Sequence, residues 1–304
     1  MTDPLRFDKQ AILVTGGGRG IGRAQALLLA SRGARVVVAD NGSAMDGSGT
    51  ASGPARDVVA EIEAAGGTAL AYDGDLASRE GSEGAIAAAL DAFGRIDGLV
   101  HYASPCPAPR PITELPDAEV ELVLAVNTLA AIRMARAAWP AMEAQGSGRI
   151  VLTPSAAIYG AAGNTAYAAA KASLIGIVRC LAVEGVAAGI RVNGVLPSAA
   201  SRMTDAYLPA DYRDWFAARM SPEKVANAAL WLLSDRCDAT GELFVVGAGR
   251  IARIALAEAE GMYDLGDSPE AALHTMAAVR SDARFIYPRT LEERTAIVSQ
   301  KLAD

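Results

Sequence analysis

Ala11-Ile12-Leu13-Val14-Thr15-Gly16-Gly17-Gly18-Arg19-Gly20-Ile21-Gly22 is the stretch from which the fold is read. A run of branched apolar residues passes into a glycine-rich turn and then into the Ala/Leu-rich segment Ile21 to Arg32, so the order is strand, tight turn, helix. Glycine tolerates φ > 0 and lets the backbone approach a ligand closely, and the N–H groups of the turn and of the helix start can then face a pyrophosphate. A glycine-rich turn by itself is weak evidence, and the competing reading is a purely structural turn. Its place between a strand and a helix makes nucleotide binding the reading adopted.

Outward from this unit, short branched-apolar runs alternate with Ala-rich helical stretches, the pattern of βαβ units around a parallel sheet. Seven strands are expected at Ala11–Thr15, Arg35–Ala39, Thr68–Tyr72, Gly98–His101, Arg149–Thr153, Arg191–Leu196 and Leu243–Val246. Helices are expected at Ile21–Arg32, Ala55–Ala65, Ser82–Phe93, Val120–Met142, Ala166–Val186 and Pro222–Leu233. The fold class is therefore α/β, a single Rossmann-like, doubly wound seven-stranded parallel sheet over residues 1–250, with a C-terminal helical extension over 251–304. Within that extension a helix is expected near Ile251–Glu260, and Asp267-Ser268-Pro269-Glu270 reads as a helix start leading into Ala271–Val279. The Gly/Ser/Asp/Asn-rich run Asn41–Pro54 reads as a solvated excursion. Ser198–Ala218, after the sixth strand, is the candidate substrate lid, because open α/β sheets bind ligands beyond the carboxyl ends of their strands.

Composition excludes other classes. With 28 Lys+Arg against 35 Asp+Glu the net charge is −7, and no basic block offers the footprint of a nucleic-acid binder. Met1–Gln10 has no apolar core of signal-peptide or membrane-span length, so a cytoplasmic location without membrane attachment is expected. Cys106, Cys180 and Cys237, with His101 and His274, give neither a disulfide framework nor a metal-ligand spacing, so no metal is expected.

Asp40 ends the second strand eighteen residues beyond Gly22, near the spacing at which a carboxylate accepts hydrogen bonds from the adenosine ribose. It would repel a 2′-phosphate, and no Arg or Lys follows in Asn41–Gly53, so NAD is expected rather than NADP. Asp-Asn is also good turn chemistry, the competing reading. Asp75, after the third strand, is either an adenine contact or a loop residue. Tyr167 and Lys171 are four apart, so a helix puts both on one face. A nearby ammonium favours the ionised phenol. Ser155, after the fifth strand, can orient a carbonyl oxygen for protonation by the tyrosine.

Taken in chain order, the glycine turn, the acid after the second strand, and Ser155 followed by Tyr167-x-x-x-Lys171 resemble the short-chain dehydrogenase/reductase family over residues 7–250. Val36–Asn41, Ala157–Lys171 and Val192–Gly249, with Ser201-Arg202-Met203-Thr204 and Leu243-Phe244-Val245-Val246-Gly247-Ala248-Gly249, are similar to the branch holding the (3R)-hydroxyacyl-CoA dehydrogenase module of peroxisomal multifunctional enzymes. The resemblance implies that Gly16, Arg19, Gly20, Ile21, Gly22, Asp40, Asp75 and Leu76 line the adenosine half of NAD. It further implies that Ala103, Val195, Pro197 and Ala200, with Tyr167 and Lys171, face its nicotinamide half. Ser155, Tyr167 and Lys171 match the catalytic positions, and Asn127 matches a helix-kinking asparagine whose backbone carbonyl holds a water of the proton relay. A homodimer or homotetramer, with Val120–Met142 and Ala166–Val186 in its helix bundle, is implied as well.

Two departures from the family pattern stand out. His101-Tyr102-Ala103-Ser104 replaces the usual Asn-Asn-Ala-Gly, and the Ser155–Tyr167 spacing is twelve where thirteen is usual, so that a gapless count puts Pro154 at the serine position. Keeping the strand register favours Ser155, with one residue deleted from the following loop. His101 reads as a structural histidine rather than a ligand contact, Cys106 as an inert cleft-wall thiol, Cys180 as core, and Arg202 as a solvated lid residue rather than a partner for an anionic substrate group. The resulting expectation is an NAD(H)-dependent enzyme interconverting a secondary alcohol and a ketone on a hydrophobic, 3-hydroxyacyl-CoA-like or steroid-like substrate. The alternative is an NAD-binding protein with catalysis lost or rerouted, as a scaffold or sensor or toward dehydration or epimerisation.

Overall fold

A computed structural model describes residues 3–207, 209–262, 268–280 and 284–303. The expected strands appear as β1 (Ala11–Thr15), β2 (Arg35–Ala39), β3 (Thr68–Tyr72), β4 (Gly98–His101), β5 (Gly148–Leu152), β6 (Ile190–Ser198) and β7 (Leu243–Gly247). Neighbouring pairs from β3 through β7 are parallel, in the order β3-β2-β1-β4-β5-β6-β7. All five residues of β1 are buried, which is why its run is apolar throughout rather than alternating.

The sheet has an eighth strand, β8 (Arg250–Ile254), beside β7. Residues 251–260 are thus not the expected helix but β8 followed by the short β9 (Glu258–Ala259). The cause is the two-residue turn Ala248-Gly249, where both residues have φ > 0 (51° and 78°), the geometry that folds one strand back on its neighbour.

Helices α1 (Gly20–Ser31), α2 (Gly53–Ala64) and α9 (Pro222–Leu233) cover one face of the sheet, with α1 packed between the other two. The other face carries α3 (Arg79–Phe93), α4 (Asp117–Leu124), α5 (Ala130–Ala144) and α6 (Thr165–Glu184). The expected single helix Val120–Met142 is interrupted by a π-turn over Ala125–Leu129, in which Ala130 N–H reaches back to Ala125 O. On α6 the buried stripe is Ala166, Ala170, Leu174, Val178 and Ala182, a strict four-residue spacing. Cys180, two positions past Val178, falls on the opposite face and is exposed rather than core. α6 is apolar enough to pass as a membrane span by composition, but it packs on β6 and α4 with Lys171 buried in it, the position of a core helix.

Ser198–Ala218 contains α7 (Arg202–Tyr207) and α8 (Ala210–Arg219). The chain divides into two compact units, Met1–Arg253 and Ile254–Asp304. The second contains β9 paired antiparallel with β10 (Phe285–Ile286), α10 (Pro269–Val279) and α11 (Leu291–Ala303). α10 begins where the Ser-Pro-Glu start places it. Asp267 and Leu208 lie outside the described residues, as do the side chains of Met203 and His274.

Candidate active site

In a sheet ordered 3-2-1-4-5-6, the chain leaves β1 toward one edge and β4 toward the other, and the crevice between their carboxyl ends is where such folds take a ligand. Thr15 pairs with Ala39 on one side and His101 on the other, so the residues that follow each strand emerge at the same height. They enclose a groove of ≈ 410 Å³.

The glycine turn forms the floor of that groove. Gly16 has φ +63°, and a Cβ there would stand 2.8 Å from Ala103 N. A Cβ at Gly22 would overlap the Gly16 carbonyl, whereas one at Gly20 would project into open groove. Arg19 stands at the N-cap of α1 and supplies no side-chain cap, so the first-turn N–H groups remain available to an anion. These features fit the phosphates of a dinucleotide. Asp40 accepts Gly18 N at 2.9 Å through Oδ2 and Gly42 N at 2.8 Å through Oδ1, which fixes its carboxylate at the groove edge with lone pairs to spare. Asp75 is exposed, accepts Ala77 N at 2.9 Å, and lines the groove with Leu76.

The excursion 41–54 is a wall rather than a solvated loop. Cys106 N donates to Met45 O at 2.8 Å, and Gly47 lies against Leu122 and Pro105. Arg19 and, from the start of α7, Arg202 both reach Ser43 O, at 3.3 and 3.4 Å. Two guanidiniums therefore stand near the ribose end, one contributed by a segment 159 residues downstream of that carbonyl, which no count along Asn41–Gly53 reveals.

At the other end, Ser155, Tyr167 and Lys171 line the groove with Gly16, Ala103 and Pro197. Pro154 and Ser155 both line the groove, and Ser155 Oγ accepts Ala157 N at 3.2 Å while its hydroxyl acts on the Tyr167 phenol. Lys171 Nζ is 5.7 Å from the centroid of the tyrosine ring. Burial dominates both groups: it pushes the phenol up to about 12 and the ammonium down to about 7. Burial first and then Cys106 raise the phenol, and what favours the phenolate is the pair of hydroxyls of Ser155 and Ser104 rather than the Lys171 ammonium expected to do so.

Asn127 does not line the groove, although Val126 does. It is buried in the π-turn, with Nδ2 donating to Val123 O at 2.9 Å. Ala200 and Val195 are likewise absent from the lining, Ala200 N being bound to Met220 O and Val195 lying in the core. Sequence reasoning missed Thr153, Ser43 and Leu122, and it placed Ser104 only in the altered turn and Phe216 only within the segment 198–218; all five reach the groove because the strand ends and that segment converge. Burial pushes Cys106 up to about 11, the state of an unreactive thiol.

A doubly wound sheet with a glycine-lined groove at its switch point and a Ser–Tyr–Lys cluster at the groove mouth defines a class of nucleotide-dependent oxidoreductases. The short chain dehydrogenase family model matches residues 10–211, more than half of the chain, and the chain belongs to that family, whose members act on CH–OH groups. Peroxisomal multifunctional enzyme type 2 of Mus musculus is 38% identical over 99% of this chain, which spans only 41% of the mouse protein. Among solved structures, a short chain dehydrogenase from Mycobacterium avium is similar at a TM-score of 0.78 and 34% identity, covering 91% of this chain and 96% of that one. A 7α-hydroxysteroid dehydrogenase complexed with NADH and 7-oxo glycochenodeoxycholic acid is similar at a TM-score of 0.73 and 28% identity, covering 82% of this chain and 98% of that one.

Proposed function

We propose that the protein interconverts a secondary alcohol and a ketone with NAD(H), on a hydrophobic substrate of the 3-hydroxyacyl thioester or steroid class. The observation that carries this is the Tyr167 phenol beside the Ser155 hydroxyl and Lys171, at the mouth of the glycine-floored groove. When bound there, the nicotinamide would supply the hydride acceptor and donor. Gly16 to Gly22, with the uncapped first turn of α1, would hold its phosphates, and the Asp40 carboxylate would take the adenosine ribose hydroxyls while opposing a 2′-phosphate.

The chain's own groups divide the remaining work. Tyr167, kept protonated by burial, hands its proton to the carbonyl oxygen on reduction and recovers it on oxidation. Ser155 Oγ donates to the same oxygen and fixes its position. Lys171, near half-protonated at neutral pH, exchanges protons with the relay that begins at the Asn127 turn. Met45, Pro105, Leu122 and Phe216 give the groove an apolar wall that suits an acyl chain or a steroid. The 7-oxo glycochenodeoxycholic acid bound by the similar 7α-hydroxysteroid dehydrogenase supports the steroid class. Exposed Leu129 in the π-turn, Ile132 on α5, Val183 on α6 and Val186 just past it support assembly with further copies.

The test is turnover. Purified protein, NAD and a panel of 3-hydroxyacyl-CoA thioesters and steroid alcohols are expected to give the absorbance of reduced cofactor. Tyr167→Phe is expected to lower kcat by at least about 10³-fold. A phenylalanine variant with wild-type turnover overturns the mechanism.

A further inference from the structure

Ser104 stands three residues past β4, in a turn fixed at both ends. Ala103 N donates to Thr15 Oγ1 at 3.2 Å, Tyr102 N to Thr15 O at 3.2 Å, and Cys106 N to Met45 O at 2.8 Å. Between these anchors Ser104 borders the groove together with Ser155, Tyr167 and Lys171. Its oxygen is sealed from solvent and completes no hydrogen bond among the described residues. A buried hydroxyl without a partner is unfavourable, and such groups gather where a partner arrives during function.

The need for a second hydroxyl follows from counting protons. Ser155 has one O–H, and in the reading above that proton goes to the substrate oxygen. Once Tyr167 has given its own proton away and Ser155 is engaged with the substrate oxygen, the Lys171 amine alone is weak support for the phenolate, because burial leaves it neutral in a large fraction of molecules near pH 7. A hydroxyl does not titrate in this range, and its bond to an ionised oxygen is among the stronger ones.

We propose that Ser104 is a further catalytic group of this site: its hydroxyl donates to the Tyr167 oxygen as that oxygen loses its proton. In the step the Tyr167 O–H bond breaks and the substrate O–H bond forms, while Ser104 keeps its own proton and carries no electrons. The phenol already responds to this hydroxyl, which favours ionisation against the burial that opposes it. The inference rests on Tyr167 being the acid.

The experiment uses the full chain loaded with NAD. Tyrosinate absorbance is titrated in wild type, Ser104→Ala and Ser104→Thr, with Tyr167→Phe as the subtraction blank, and NAD affinity is measured alongside. Ser104→Ala is expected to raise the Tyr167 midpoint by about one unit. It should also lower kcat on the best alcohol of the panel roughly ten-fold and move the acid limb of the oxidation profile upward by the same unit. Ser104→Thr, which keeps the donor, restores both, and NAD affinity stays level. An unshifted midpoint in the alanine variant overturns the proposal, as does a threonine variant shifted as far as alanine, or a change in NAD affinity with the midpoint fixed. If Tyr167→Phe keeps turnover, the reading of Tyr167 as the acid falls instead, an outcome separable from these.

Discussion

His101 shows how a single side chain can be chemically silent and still govern a site. It is fully buried, with Nδ1 2.8 Å from Thr15 Oγ1 and Nε2 2.9 Å from Val126 O. A neutral ring with its proton on Nε2 satisfies both contacts, donating to the carbonyl and accepting from the threonine, whose oxygen in turn accepts Ala103 N. Burial first, then the nearby Lys171, pushes the imidazole down to about 3. The unfolded chain takes up a proton below about pH 6.5 that the folded chain refuses, so stability rises with pH across the window from 3 to 6.5. Unfolding free energy is therefore expected to drop by about 2 kcal/mol more between pH 7 and 5 in wild type than in His101→Gln. Parallel pH dependences in denaturant titrations would contradict this. The sequence reading of His101 as structural was correct in kind, but its grip on Val126, beside Asn127, required the fold to be seen.

At the scale of elements, the strands were legible nearly residue for residue, because burial on both faces leaves continuous branched runs and the glycine turn fixes the first of them. The elements that were misread depend on geometry no periodicity carries. Ala248-Gly249 folds β8 back on β7 only because both residues adopt positive φ, and alanine gives little warning of that. The excursion 41–54 has the composition of a solvated loop, yet its Met45 carbonyl and Gly47 pack against residues far along the chain. The π-turn between α4 and α5 was legible only through the family resemblance, and its local cause is the Asn127 amide, which takes Val123 O from the helical ladder at 2.9 Å. Asn127→Ala leaves that carbonyl without its side-chain donor, so a stability loss of about 1–3 kcal/mol is expected. A larger effect is expected on kcat, about ten-fold or more, because the turn that borders Lys171 relaxes toward a regular helix. Steady-state kinetics beside thermal unfolding separates the two, and an unchanged kcat would remove the π-turn from the reaction.

Over the whole molecule, the groove and the core share the same portion of the chain. Among the described residues, every fully buried apolar side chain lies at or before Val246, and every residue lining the groove lies at or before Phe216. The unit Met1–Arg253 therefore contains both the stabilising burial and the binding chemistry, with β8 ending one residue later at Ile254. A ligand that binds only the folded form adds RT ln(1 + [L]/Kd) to stability, about 2.7 kcal/mol at a hundred-fold excess over Kd. A chain ended after Ile254 is expected to fold, to bind NAD with the affinity of the full chain, and to gain that same increment. The increment is set by occupancy of a groove whose walls both chains possess in full, so calorimetric Kd and the cofactor-dependent rise in melting temperature must agree with each other in each. A shortened chain that melts cooperatively yet gains nothing from NAD would mean that residues beyond Ile254 complete the site, and the assignment of binding to the first unit would have to be withdrawn.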